Sequence, residues 1–106
     1  MKGFSGNIEK LTLENDNFRQ VLYTAKHCQL VLMSLPVGGE IGSEVHEEND
    51  QFFRFESGEG KVLIDGNEYA ASDGSAIIVP AGAEHNVINT GEEPLKLYTI
   101  YSPAHH

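Results

Sequence analysis

Hydrophobic and polar positions alternate with period two over much of this chain, and the alternating runs are short. Six runs read as strands: Cys28 to Leu35 (CQLVLMSL), Gln51 to Phe55 (QFFRF), Lys61 to Asp65 (KVLID), Ser75 to Val79 (SAIIV), His85 to Asn89 (HNVIN) and Leu95 to Tyr101 (LKLYTIY). In KVLID, Val62 and Ile64 share one face and Lys61, Leu63 and Asp65 the other, as a half-buried strand requires. In the run after Asp50, Gln51, Phe53 and Phe55 share the face that reads as core, while Phe52, Arg54 and Glu56 share the opposite one. Gly38-Gly39, Gly58, Gly66, Gly74, Gly82 and Gly91 punctuate these runs at the spacing of turns in a sandwich or barrel. Asp65-Gly66-Asn67 is hairpin chemistry, because tight primed turns demand positive φ; one hairpin is expected over residues 61 to 71. The best helical segment, Asp16 to Lys26, contains Val21, Tyr23 and Thr24, which favour a strand, so at most a short turn is expected there. The expected architecture is all-β: a compact antiparallel barrel or two-sheet jelly roll.

Length and composition narrow the class. A chain of 106 residues with 40% hydrophobic and 22% charged residues suits one domain, residues 1 to 106, with its own core. Sixteen acidic residues against seven basic ones give a net charge of −9, which repels phosphate backbones and argues against nucleic acid as a partner. No apolar run approaches the ~20 residues of a membrane span, and MKGFSGNIEK lacks the apolar stretch of a signal peptide. The expectation is therefore a cytoplasmic protein with no membrane partner. The single cysteine, Cys28, forms no internal disulfide and reads as a buried structural thiol, since no base is placed beside it.

The candidate chemistry lies in two stretches. In GSAIIVPAGAEHNVIN, His85 follows a β-branched run ended by Pro80 and Gly82. By local sequence alone it could be a solvated residue, a hydrogen-bonded core residue or a metal ligand. In VHEENDQ, alternation puts His46 and Glu48 on one face. A bulge or turn at Asn49-Asp50 would let Gln51 point the same way. Glu47 and Asp50 read as surface charges, Asn89 as a side chain bonded to backbone, and His105 and His106 receive no ligand role.

Gly74-x5-Pro80-x-Gly82-x2-His85-x3-Asn89 resembles, position for position, the second signature of the cupins, G-x5-P-x-G-x2-H-x3-N. The first cupin signature, G-x5-H-x-H-x3 or x4-E-x6-G, is matched in part: His46 takes the first histidine, Glu48 stands where the second should be, and Gln51-x6-Gly58 supplies the glutamate position and closing glycine. The resemblance covers Gly39 to Tyr101 and is similar in detail to small single-domain bacterial cupins with a DQFFR-type strand and an LYTIYSP-type end. It implies a cupin double-stranded β-helix with a divalent transition metal, Mn, Fe, Zn or Ni, held by His46, Glu48, Gln51 and His85. Carboxylate and amide oxygens bias such a set toward harder ions. The resemblance further implies a small metalloenzyme, isomerase- or dioxygenase-like, acting on a small oxygen-rich metabolite. A non-catalytic small-molecule binding module with the same pocket is the alternative, and a purely structural metal a weaker one. A homodimer is also expected, with Phe52, Leu63 and Tyr98 on outward faces.

Overall fold

In the computed structural model, which describes residues 1–104, one short helix precedes nine strands: α1 (Ile8–Glu14), β1 (Arg19–Thr24), β2 (Gln29–Leu35), β3 (Glu44–Val45), β4 (Asp50–Ser57), β5 (Glu59–Ile64), β6 (Asn67–Ser72), β7 (Ala76–Val79), β8 (Glu84–Asn89) and β9 (Leu95–Ser102). They form two antiparallel sheets, ordered β1-β2-β9-β4-β7 and β3-β8-β5-β6. Their inner faces share one core. Val31, Leu35, Phe53, Phe55, Leu95 and Leu97 enter it from the first sheet, and Val62 and Val87 from the second. This is the jelly-roll barrel that the alternation predicts.

All six strand runs are present, with ends shifted by one or two residues. The hairpin is also present: Ile64 pairs with Asn67, and the two residues between them, Asp65 and Gly66, both have positive φ, 48° and 83°. That is the backbone of a two-residue primed turn. Parity holds along β4, where Gln51, Phe53 and Phe55 are buried and Phe52 and Arg54 half-buried on the outer side. The outward Arg54 Nε lies 3.1 Å from Glu56 Oε1.

Three features depart from the sequence reading. Residues 19–24 form a full edge strand rather than a short turn, because pairing with β2 supplies what local propensity leaves open. The helix lies earlier, at residues 8–14, where Asn7 caps it by accepting a hydrogen bond from Lys10 N at 3.1 Å. A helix this short has little stability alone. It is held by packing against β9, β4 and β2, burying Thr12, whose hydroxyl donates to the Ile8 carbonyl at 2.7 Å. Cys28, expected to be buried, is exposed, because β2 begins one residue later and leaves it in the connection from β1. Among the described residues no helix is long and apolar enough to cross a membrane.

Candidate metal centre

Two backbone clips bring the candidate residues to one end of the barrel. Pro80 ends β7 and Gly82 takes φ 87°, a conformation costly for any residue with a Cβ. In that turn Gly82 N donates to the His46 carbonyl at 2.9 Å and Ala81 N donates to Asp50 Oδ1 at 2.9 Å. The turn between β7 and β8 is thereby fastened to the segment that carries His46. The second clip runs along β8. Ile41 N donates to the Val87 carbonyl and Gly42 N to Asn86 Oδ1, each at 2.9 Å, which sets β3 so that Glu44 lies directly opposite His85.

Cross-strand partners present their side chains on the same face, so Glu44 and His85 are neighbours, and alternation places His46 beside Glu44. One donor atom each from Glu44, His46 and His85 lies within 4.8 Å of the others. His46 Nε2 is 2.8 Å from Glu44 Oε2. Donor atoms at ~2.1 Å from a common ion stand about 3 to 4 Å apart, so the Glu44–His46 pair has the spacing of shared ligands and a small inward shift would complete the set. His85 is buried, and its Nδ1 lies 3.1 Å from the Ala83 carbonyl. That carbonyl can only accept, so Nδ1 carries the proton and Nε2 keeps its lone pair, the usual device for aiming a metal-binding imidazole. The His46 and His85 rings are 5.3 Å apart, and Phe53 packs 6.4 Å from His85.

Gln51 is buried at 2% exposure. Its Nε2 donates to Thr99 Oγ1 at 3.0 Å, while its Oε1 has no hydrogen-bond partner among the described residues. An unpaired buried acceptor is costly, and a cation would satisfy it. Gln51 lies opposite Tyr101 in the β4–β9 pairing, and the Tyr101 ring meets His46 edge-on at 5.4 Å. Burial, and next the charge of Glu44, push the Tyr101 phenol above its ordinary range; the charge of Arg19 and hydrogen bonds from Gln51 and Arg19 act the other way. Tyr101 therefore faces the site as a protonated hydroxyl.

Of the four residues read from the sequence, His46 and His85 come together, while Gln51 is linked to them only through Tyr101, its cross-strand partner and the ring neighbour of His46. Glu48 does not join the cluster: it sits exposed in the turn that follows β3. Alternation has no meaning across a turn, and the chain reverses at Glu47-Glu48. Glu44, two residues before His46 on the same strand face, takes the place expected of Glu48. A signal for it existed in the spacing. With Glu44 and His46 in the two histidine positions the first signature fits throughout, as Gly38-x5-Glu44-x-His46-x4-Gln51-x6-Gly58. Asn89 bonds backbone as expected, donating to the Leu35, Pro36 and Glu93 carbonyls, at the far end of β8 from His85. His105 and His106 lie outside the described residues. A surface depression of about 580 Å³ along Gly58, Glu59 and Thr90 to Glu93 lies at that same far end, away from His46 and His85. A second, of about 500 Å³, is lined by His46, Glu48, Asn49 and Pro103 and opens beside the cluster.

Comparison with known proteins agrees with the fold. "Uncharacterized protein YrkC" of Bacillus subtilis is 49% identical over 99% of this chain and 60% of its own length. An uncharacterized protein of Acanthamoeba polyphaga mimivirus is 43% identical over 94% of this chain and 65% of its own. The chain thus spans somewhat less than two thirds of these curated relatives. The crystal structure of BH2720 from Bacillus halodurans superposes with a TM-score of 0.97 at 45% identity, covering 99% of this chain and 84% of that one. The family model for the Cupin domain matches residues 31–101. With the barrel, the glycine turn before His85 and a match across most of its length, this chain belongs to the cupin family.

Proposed function

We propose that the cluster binds a divalent transition metal through Glu44, His46, His85 and Gln51, and that the protein is a small metalloenzyme acting on an oxygen-rich metabolite. The observation that carries this reading is the convergence of two imidazoles and a carboxylate within 4.8 Å; the buried Gln51 amide oxygen, without a hydrogen-bond partner among the described residues, supplies the fourth donor of the proposed set. Two nitrogens and two oxygens suit Mn, Fe, Zn or Ni, with the oxygens favouring the harder ions. A bound ion of this kind supplies a Lewis acid that polarises a substrate oxygen. The chain's own part is to aim His85 through Ala83, keep the Tyr101 hydroxyl protonated at the site, and wall the cluster with Phe53. Elemental analysis of protein purified without chelator or a metal-affinity step should find one such metal in stoichiometric amount. Protein that is metal-free and takes up none of the four ions on titration would sink the reading. Turnover by the loaded protein then distinguishes an enzyme from a binding module.

Gln51→Glu tests the amide. It restores the carboxylate of the signature and sets a full charge about 2 Å from the ion. The expected result is a rise in affinity of about tenfold or more, roughly 1.4 kcal/mol, in competition titrations with Mn(II) and Fe(II). Equal affinities for both proteins would remove Gln51 from the ligand set.

The same proposal includes a homodimer. Ile78, Phe52, Ile100, Leu30 and Tyr23 are successive cross-strand partners in a row across the first sheet, and Ile78 is 63% exposed. Phe52 and Tyr98 pack together at 6.2 Å on this sheet. Leu63 belongs to the other sheet, so it does not share one interface with them. Light scattering should give about 23 kDa, twice the 11.6 kDa of the chain. A constant value near 12 kDa over a wide concentration range would end the idea.

A further inference from the structure

A second buried amide shares the inner face of the first sheet with Gln51. Gln29 opens β2 and lies directly opposite Tyr101, which in turn lies opposite Gln51. Val31, Met33 and Leu35 occupy the same face of β2 as Gln29 and belong to the core, so Gln29 faces inward. All three members of the row are buried, Gln29 and Tyr101 at 6% exposure and Gln51 at 2%. Through Tyr101, whose ring meets His46, the row stands at the end of the barrel that holds the histidines.

The two amides are bonded alike. Gln29 Nε2 donates to Thr24 Oγ1 and Gln51 Nε2 to Thr99 Oγ1, each at 3.0 Å, and each Oε1 is buried with no hydrogen-bond partner among the described residues. Folded proteins leave few buried acceptors unpaired. Arg54 Nε and Glu56 Oε1, also buried and without a hydrogen bond, answer each other in an ion pair at 3.1 Å, a recourse closed to a neutral amide. The metal reading gives Gln51 a cation, but the same answer does not suit Gln29. Its cross-strand neighbours, Thr24 and Tyr101, bring no carboxylate, and a buried positive charge without an anionic partner is costly. An ammonium group meets the same objection. A carboxylate has no hydrogen to give, and the net charge of −9 repels it. A hydroxyl donates a hydrogen and brings no charge.

We propose that Gln29 is a specificity residue whose Oε1 accepts a hydrogen bond from a hydroxyl of the metabolite, and that the metabolite is a neutral polyhydroxylated carbonyl compound. This rests on the metal-site reading above, which supplies the contact for the carbonyl end. Neighbouring strands lie ~4.8 Å apart, and Gln29 and Gln51 are two strands apart. A ligand that meets both the metal and Gln29 therefore carries its distal hydroxyl several carbons from the metal-bound oxygen, beyond the reach of a two-carbon acid.

The test loads wild type and Gln29→Leu with Mn(II), compares their affinity for the metal and their circular dichroism, and then titrates each with erythrulose, xylulose, 1-hydroxy-2-butanone and glycolate. Erythrulose and 1-hydroxy-2-butanone share a four-carbon hydroxyketone and differ only in the distal hydroxyls. Wild type should bind erythrulose or xylulose at least tenfold more tightly than 1-hydroxy-2-butanone, because a site built to accept a hydroxyl rejects the analogue that lacks it. Gln29→Leu should bind Mn(II) as wild type does, lose most of that preference, and leave 1-hydroxy-2-butanone unaffected. If wild type takes up no Mn(II), the metal-site reading fails and this inference with it. If Mn(II) binds but wild type shows no preference within the pair, or Gln29→Leu keeps the preference, Gln29 has no such role. The wild-type comparison stands even if Gln29→Leu does not fold, and Gln29→Met then takes its place with the same expected result. Tighter binding of glycolate than of either sugar would overturn the neutral assignment.

Discussion

Replacing His85 with alanine is expected to abolish stoichiometric metal binding while leaving the barrel folded. The imidazole is fixed on both sides. Its Nδ1 is held by the Ala83 carbonyl and its ring by Phe53 and His46, so Nε2 is preorganised toward Glu44 and His46 Nε2. Losing a preorganised ligand from a four-donor set should cost about a hundredfold or more in affinity, since loss of groups that merely orient ligands already costs 10–100-fold. The fold should tolerate the change. Its stability comes from residues such as Val31, Phe53, Phe55, Val62 and Leu97, all fully buried, whereas His85 lies at the end of the barrel and its truncation leaves a cavity of one side chain. Metal content after dialysis and circular dichroism on the same sample check both halves. A variant that keeps stoichiometric metal would show the signature histidine is no ligand. An unfolded variant would mean that His85, or the ion it holds, is required for the fold.

The fold was legible wherever one strand face is buried and a turn residue marks the end. KVLID with Asp65-Gly66 is the clearest case, because alternation and turn chemistry specify the same hairpin. The signal fails where structure depends on distant partners. β3 is two residues long and exists because β8 pairs with it. α1 has a capping asparagine but only seven residues, and needs the outer face of the first sheet to hold it. In the site, His85 was legible because Pro80 and Gly82 are required by the turn that presents it. Glu44 was not, because alternation applies equally on both sides of His46, and only the turn at Glu47-Glu48 decides between them.

Glu44 and Glu48 make opposing predictions. Glu44 lies opposite His85, with its Oε2 2.8 Å from His46 Nε2 and its side chain 38% exposed, so it can reach an ion shared with both imidazoles without a large desolvation cost. Near a dication the local electrostatics are set by the ion, and neutralising the one carboxylate of the set removes its strongest pairwise attraction. Glu44→Gln should therefore lower metal affinity by about a hundredfold, roughly 2.7 kcal/mol, while keeping the shape of the site. Glu48 stands exposed in the turn, where water screens its charge, and Glu48→Gln should leave the affinity close to that of wild type. Both variants are isosteric and neither residue is in the core, so folding should not intervene. The measurement is a competition titration with Mn(II) on all three proteins at one ionic strength. If the losses are reversed, the anionic ligand is Glu48, the turn must rearrange when metal binds, and His46 returns to the first position of the signature. If neither substitution matters, any bound ion is held by the imidazoles and the Gln51 amide alone, and removing His46 or His85 should then be the only change that releases it.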